Sequence, residues 1–265
     1  MKGLLSVSFG TSHADTRERT IDEVEKALRD AFPDRAFYSA WTSPRIIAKT
    51  RERGEWHDSL DEAFARLTDD GVTDLMVSTM CLMQGGEMAK TRQAVEAWAG
   101  QDGCNAHLAA PLLASTYDQR VMARIISDEF SFVGEADALL LMGHGSGEGD
   151  NDVYSAVQRE LHMLGRPRFF VATVEGVPTF DNALLQLELY RPQRVYLAPL
   201  MMVAGDHAKN DLAGEGDDSW ARQLEARGYQ VETVLKGLGE YAGVQELVCE
   251  HVRDALTIRE VALRG

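Results

Sequence analysis

Cysteine is scarce in this chain. There are three, Cys81, Cys104 and Cys249, in 265 residues, and none is spaced C-x-x-C. An odd set without paired spacing argues against a disulfide framework and for reduced thiols, hence for a cytoplasmic location. Positive charge is also short, with 27 Lys and Arg against 42 Asp and Glu and a formal net charge of −15. Nucleic acid is thereby disfavoured as a partner, because phosphate binding needs a basic face. An anionic small molecule is not, since a local group of cations can still line a cleft. No apolar run approaches the roughly 18 residues of a membrane span. The opening MKGLLSVSFGTS is too short an apolar run for an export signal and meets Asp15, Arg17, Glu18 and Arg19 at once. It reads as a first strand. Low-complexity segments and long linkers are missing too.

What is present is a regular alternation. Hydrophobic residues make up 45% of the chain, enough for one large domain or two small ones. Apolar runs at 3–9, 36–41, 72–80, 105–110, 136–142, 168–173, 194–200 and 229–234 predict strands. Between them Ile21, Val24, Ala27, Leu28 and Ala31 keep helical spacing. So do Leu60, Ala63, Phe64 and Leu67, and again Val153, Val157, Leu161 and Leu164. Strand-helix alternation predicts an α/β fold of parallel sheets with crossover helices. The expected division is 1–128 and 129–265, each a Rossmann-like domain. A final amphipathic segment (Val244, Leu247, Val248, Val252) is expected to return to the first.

The halves also align with each other. LLSVSFGTS (4–12) matches LLLMGHGSG (139–147), which sets Phe9 against His144. FYSAWTSP (37–44) matches FVATVEGVP (170–178), setting Thr42 against Glu175. LMVSTMCLMQGGEMAK (75–90) matches VYLAPLMMVAGDHAK (195–209) with one gap, setting Glu87 or Met88 against His207. Three matches in one order indicate an internal duplication. In doubly wound sheets, ligands bind beyond the carboxyl ends of the strands, where all three positions fall. The second half thus places two imidazoles and a carboxylate at neighbouring strand ends. A set of His144, Glu175 and His207 with open positions suits Fe²⁺, Co²⁺ or Zn²⁺. A histidine in a loop is ordinarily solvated or hydrogen-bonded locally, and His13, His57, His107, His162 and His251 are read that way.

Other motifs carry less. GHGSG is not a nucleophile elbow, because His144 stands where G-x-S-x-G needs glycine. Nor is it G-x-G-x-x-G, because position 148 is Glu. Its glycines suit close approach of backbone to a ligand, and Gly145–Asp150 is a candidate anion cradle at the helix start near Asn151. Met80, Met83, Met88, Met201 and Met202 suit the apolar lining of a flat substrate better than soft metal ligation.

Taken together, MGHGS (142–146), VEGVPT (174–179), LMMVAGDHAKND (200–211) and VSFGTS (7–12) resemble the anaerobic sirohydrochlorin cobaltochelatases, class II chelatases related in fold to ferrochelatase. The resemblance spans essentially the whole chain. It implies two similar domains flanking a tetrapyrrole cleft, and nucleotide-independent insertion of Co²⁺, with Fe²⁺ as the alternative cation. It implies His144, Glu175 and His207 as metal ligands and catalytic groups. Ser8, Thr11, Ser12 and Ser146 become candidates for the carboxylate-rich periphery of the substrate, with Met88 against its flat face. Lys90, Arg92, Lys209, Arg45 and Lys49 are candidate charge partners. Glu87 occupies the place where a haem-ligating histidine of some relatives would be sought, so haem is not carried over. The expected partner is the tetrapyrrole, with a homo-oligomer allowed and neither nucleic acid nor membrane expected. Two other classes use the same residues: a non-catalytic carrier of metal or tetrapyrrole, and a metal-dependent hydrolase drawing on Asp150, Asp152 and Asp206.

Overall fold

The computed structural model of the protein describes residues 1–147 and 149–257. It divides into two units, residues 1–112 joined by residues 245–257, and Leu113–Val244.

In the first unit the chain forms β1 (Lys2–Ser8), α1 (Ala14–Arg19), α2 (Ile21–Ala31), β2 (Ala36–Trp41), α3 (Pro44–Arg51), α4 (Leu60–Asp69), β3 (Asp74–Thr79), α5 (Gly86–Ala99) and β4 (Asn105–Leu108). The second unit runs α6 (Thr116–Glu129), β5 (Ala138–Gly145), α7 (Asp152–Met163), β6 (Phe169–Glu175), α8 (Phe180–Tyr190), β7 (Arg194–Pro199), a π-helical turn Ala208–Leu212, α9 (Trp220–Ala226) and β8 (Gln230–Thr233). The chain then returns through α10 (Ala242–Arg253), whose His251 Nδ1 donates to Ala110 O over 3.0 Å, to β9 (Leu256–Thr257), antiparallel to β4.

Each predicted strand is present. The two sheets share one topology: β2-β1-β3-β4-β9 in the first unit and β6-β5-β7-β8 in the second. In each unit, therefore, the second strand lies outside the first, and the third lies on its other side. The pairings among these eight strands are parallel. That order puts a topological switch point between β1 and β3 and another between β5 and β7.

Local chemistry starts the helices where the pattern asks. Ser59 Oγ accepts from Glu62 N (3.3 Å) while Glu62 Oε2 accepts from Ser59 N (2.8 Å), a capping box that aims Ala63, Phe64 and Leu67 at the sheet. Ser115 with Asp118 and Thr179 with Asn182 do the same for α6 and α8. Strand alternation then sorts the faces. Leu5 and Val7 join Phe64, Val77, Met88 and Trp98 in one core, and Leu140, Met142, Phe170, Leu187 and Trp220 share another. Each such side chain stabilises the fold by about 1.5–3 kcal/mol on burial. On the other face of the first sheet, α2 turns Glu25 inward, where Ser39 Oγ donates to it over 2.5 Å. Burial pushes that carboxyl's pKa up.

The expected break at 128/129 falls instead at 112/113. The reason is α6. Its Arg120 pairs with Glu160 of α7 (3.1 Å), and Arg166 donates to Ser127 Oγ (3.0 Å), so α6 belongs with the helix that follows it. A further detail concerns the outer strand β6. Gln158 Oε1 of α7 accepts from Val171 N (2.8 Å), and His162 Nε2 donates to Phe169 O (3.0 Å). No helix among the described residues is long and apolar enough to cross a membrane.

Candidate functional site

Every residue of β5 is buried except His144, whose ring emerges as the strand leaves the core. Two glycines hold it there. At Gly143 a Cβ would collide with the Tyr154 ring. At Gly145, which lies at φ 77, a Cβ would sit 2.6 Å from Glu175 O. These glycines therefore make room for a tyrosine and for the neighbouring strand, rather than for a ligand as the sequence suggested. Gly145 is in register with Glu175, so β5 and β6 close tightly at the point where His144 and Glu175 end them. The chain after Glu175 turns back at once, and Pro178 O accepts from Thr173 N (2.7 Å) and from Thr173 Oγ1 (3.1 Å). The Glu175 side chain is exposed at this turn.

His207 lies beyond β7, at the start of the π-helical turn. His144, at the end of β5, and His207, beyond β7, thus belong to the two strands flanking the switch point. Their rings meet edge to face, with centroids 4.7 Å apart and planes at 86°. Each has its Nδ1 engaged. His144 Nδ1 lies 2.8 Å from Gly145 O, and His207 Nδ1 lies 2.5 Å from Asp211 Oδ2. A carbonyl and a carboxylate only accept, so both protons belong on Nδ1 and both Nε2 lone pairs are left for a cation or a proton. Asp211 was missed from sequence. Its signal was the i,i+4 spacing after a candidate ligand histidine, which on a helical turn points the two at each other.

The structure brings the two imidazoles together and sets Glu175 at the adjoining strand end. Among the described residues, no group of three His, Cys, Asp or Glu side chains is gathered into a ready-made metal site. The set is a close pair of imidazoles with a carboxylate on the next strand.

The loop after His144 turns its first amides to the protein rather than to an anion. Gly145 N donates to Tyr154 Oη (3.2 Å), and Ser146 N donates to Asn151 Oδ1 (3.0 Å). The first two amides of that run are therefore already used within the protein. Tyr154 is buried, which pushes its phenol pKa up and keeps it a neutral hydroxyl. Residue 148 lies outside the described residues.

The other expected binding residues divide. Ser8 is buried at the end of β1, and its Oγ has no hydrogen-bond partner among the described residues. Thr11 Oγ1 accepts from His13 N (3.2 Å), and Ser12 O accepts from Arg53 Nη1 (2.8 Å). Ser146 is half-buried in the His144 loop. Met88 is a correction: at 1% exposure it fills the first core instead of lining a surface, because its place on α5 points at the sheet. Lys90 pairs with Glu87 (2.7 Å), whose other oxygen is buried and has no partner among the described residues. Of the histidines set aside, His107 contacts Asn105 Nδ2 (3.0 Å), and His162 and His251 bond backbone carbonyls. His57 stacks on Trp41 with centroids 3.5 Å apart, and burial lowers its pKa.

Two α/β units with matching strand order, and imidazoles at a switch point, define a chelatase-like protein. The solved structure of SirB from Bacillus subtilis with Fe³⁺ shares this fold, with a TM-score of 0.65 over 96% of this chain and 95% of that one at 12% identity. The family model for Cobalt chelatase (CbiK) matches residues 2–257, and the chain belongs to that family. It is 32% identical to the sirohydrochlorin cobaltochelatase of Salmonella typhimurium over 97% of both chains. It is 28% identical to the sirohydrochlorin cobaltochelatase CbiKC of Nitratidesulfovibrio vulgaris, over 97% of this chain and 91% of that one.

Proposed function

We propose that this protein inserts Co²⁺ into sirohydrochlorin without a nucleotide, and that His144, Glu175 and His207 receive the cation. The observation that carries this is the pair of imidazoles 4.7 Å apart at a switch point, each with Nδ1 occupied and Nε2 available.

The chemistry needs those groups. Insertion exchanges one dication for two pyrrole N–H protons, so the site must deliver a partly dehydrated cation and take up protons. An imidazole Nε2 does one or the other at a given moment, and two of them allow both. The Glu175 carboxylate adds the negative charge that favours stripping water from the cation. The cation here is substrate and must leave. A pair of imidazoles with a nearby carboxylate holds it less firmly than a closed four-ligand cage, which suits transfer. Asp211 orients His207 and holds it in the Nδ1–H tautomer. A cleft fitted to a distorted macrocycle would expose the pyrrole lone pairs and favour the transition state over the flat ground state. Ser8, Thr11, Ser12 and Ser146 are the candidates for the substrate carboxylates. The reduced-thiol pattern keeps the cytoplasm as the expected compartment.

The test is anaerobic absorbance spectroscopy of the purified protein with sirohydrochlorin, with and without Co²⁺ or Fe²⁺. Many metallated products per chain with Co²⁺ are expected. A single stoichiometric spectral change would make the protein a carrier, and faster turnover with Fe²⁺ would reassign the cation.

A further inference from the structure

We propose that Asn151 is a positioning residue that fixes the spacing between the strand ends carrying His144 and Glu175. Its side-chain amide is spread over both. Toward β5, Asn151 Nδ2 donates to Ser146 O (2.6 Å) and to Gly149 O (3.3 Å), while Oδ1 accepts from Ser146 N (3.0 Å). Toward β6, the amide lies flat against Gly176, the residue after Glu175. A Cβ built on Gly176 would stand 2.7 Å from Asn151 Oδ1 and 2.9 Å from its Cγ. Ser146 is two residues beyond His144, so one rigid planar group ties the His144 loop by three hydrogen bonds and abuts the Glu175 turn by contact. An amide supplies this from one side chain because it carries acceptor and donors in fixed geometry. Gly145 allows the same closure from the other side, its missing Cβ giving way to Glu175 O.

This role rests on the reading of His144 and Glu175 as cation ligands. A group that orients metal ligands without touching the metal typically costs 10–100-fold when removed. The steric half of the arrangement gives an independent handle. Gly176→Ala should displace the amide and reproduce the loss of Asn151. In a chain that already carries Asn151→Ala, the methyl added by Gly176→Ala has nothing left to displace.

The experiment is steady-state chelation with Co²⁺ as the varied substrate and sirohydrochlorin saturating, then the reverse. It uses full-length wild type, Asn151→Ala, Gly176→Ala, the double variant, and His144→Ala as reference. Asn151→Ala and Gly176→Ala should each raise the KM for Co²⁺ by about tenfold or more. The KM for sirohydrochlorin should be unmoved, and the double variant should match Asn151→Ala alone. A merely structural role would lower the active fraction, and so kcat, at constant KM. An unchanged KM for Co²⁺ in Asn151→Ala, or additive losses in the double variant, overturns the proposal while His144→Ala remains impaired. Wild-type turnover in His144→Ala overturns instead the reading beneath it. Should Asn151→Ala fail to fold, Asn151→Asp decides. It keeps the acceptor for Ser146 N and loses both donors, so a wild-type KM for Co²⁺ there also overturns the proposal.

Discussion

The carboxyl ends of β1 and β5 use one backbone device for two purposes. A glycine at positive φ marks each strand end: Gly10 at 87, two residues beyond β1, and Gly145 at 77, the last residue of β5. In each, a Cβ would meet its neighbour at 2.6 Å: the Trp41 ring in the first unit, the Glu175 carbonyl in the second. The residue before each glycine projects outward, as Phe9 in one and His144 in the other, and Phe9 is 55% exposed. The repeated backbone therefore requires only that the side chain leave the core. Which side chain leaves is free to be set by chemistry, and the second unit has spent that freedom on an imidazole.

The sharpest way to break this comparison is to make the second unit resemble the first. His144→Phe should melt close to wild type, since Phe9 shows that the site tolerates an exposed ring. Chelation by His144→Phe, His144→Ala or His207→Ala should fall at least about tenfold, since a lost acid–base group alone commonly costs about 10²–10⁴-fold. The double alanine variant should lose little more than the worse single one. Unfolding by calorimetry would show the histidines to be structural, and full activity would place the site elsewhere.

Next in size is Asp211. Asp211→Ala frees His207 to rotate and exchange tautomers and should lower kcat/KM by about tenfold, while Asp211→Asn, which still offers Nδ1 an acceptor, should lose less. Equal losses would mean that charge, not orientation, is what Asp211 supplies.

The glycines come third. Gly10→Ala and Gly145→Ala should each cost about 1–3 kcal/mol from overpacking, measured by denaturant melts. Only Gly145→Ala should also impair the folded enzyme, because it pushes the Glu175 turn away from His144. Equal activity per folded molecule would undo the distinction.

The smallest effects concern one buried carboxylate in each unit. Glu25 of α2 has its pKa raised by burial. A raised value means the folded protein binds a proton more tightly than the unfolded chain. Stability is then full below the ordinary glutamate range and declines as pH rises through the raised value, by no more than about 1.4 kcal/mol per pH unit. Glu25→Gln should flatten that decline in melts across acidic to neutral pH. Glu160 of α7 pairs with Arg120, whose side chain is 46% exposed. Glu160→Gln should therefore lose about 1 kcal/mol or less. A wild-type curve that rises with pH in the same window would contradict the assignment to Glu25.

Much of this was legible in the sequence because it rests on periodicity. Leu139, Leu140 and Leu141, in a short apolar run that turn residues bound, read as a buried strand, and Ala63, Phe64 and Leu67 announce one helix face. The two histidines were legible for a different reason: aligning the halves showed where one copy departs from the other. What stayed hidden depends on single side-chain hydrogen bonds, to loop backbone from Asn151 and Tyr154 and to the His207 ring from Asp211. Asn151, Tyr154 and Asp211 are polar residues near helix starts, where the sequence offers many indistinguishable ones. Met88 was misread because alignment fixes position along a chain but not the face of α5 on which a side chain lies. The unit boundary was misplaced because α6 has an amphipathic face that says it packs, without saying on which neighbour.

The treatment of β6 has a consequence for the molecule in a crowded solution. An outer strand ordinarily offers its free amides and carbonyls as a template on which another chain's strand can add, the first step toward edge-to-edge aggregation. On β6 the outward-pointing Val171 N and Phe169 O are already held by Gln158 and His162, one helical turn apart on α7. An incoming strand would have to break both hydrogen bonds before forming its own, so this border of the sheet is chemically closed by the same helix that covers it.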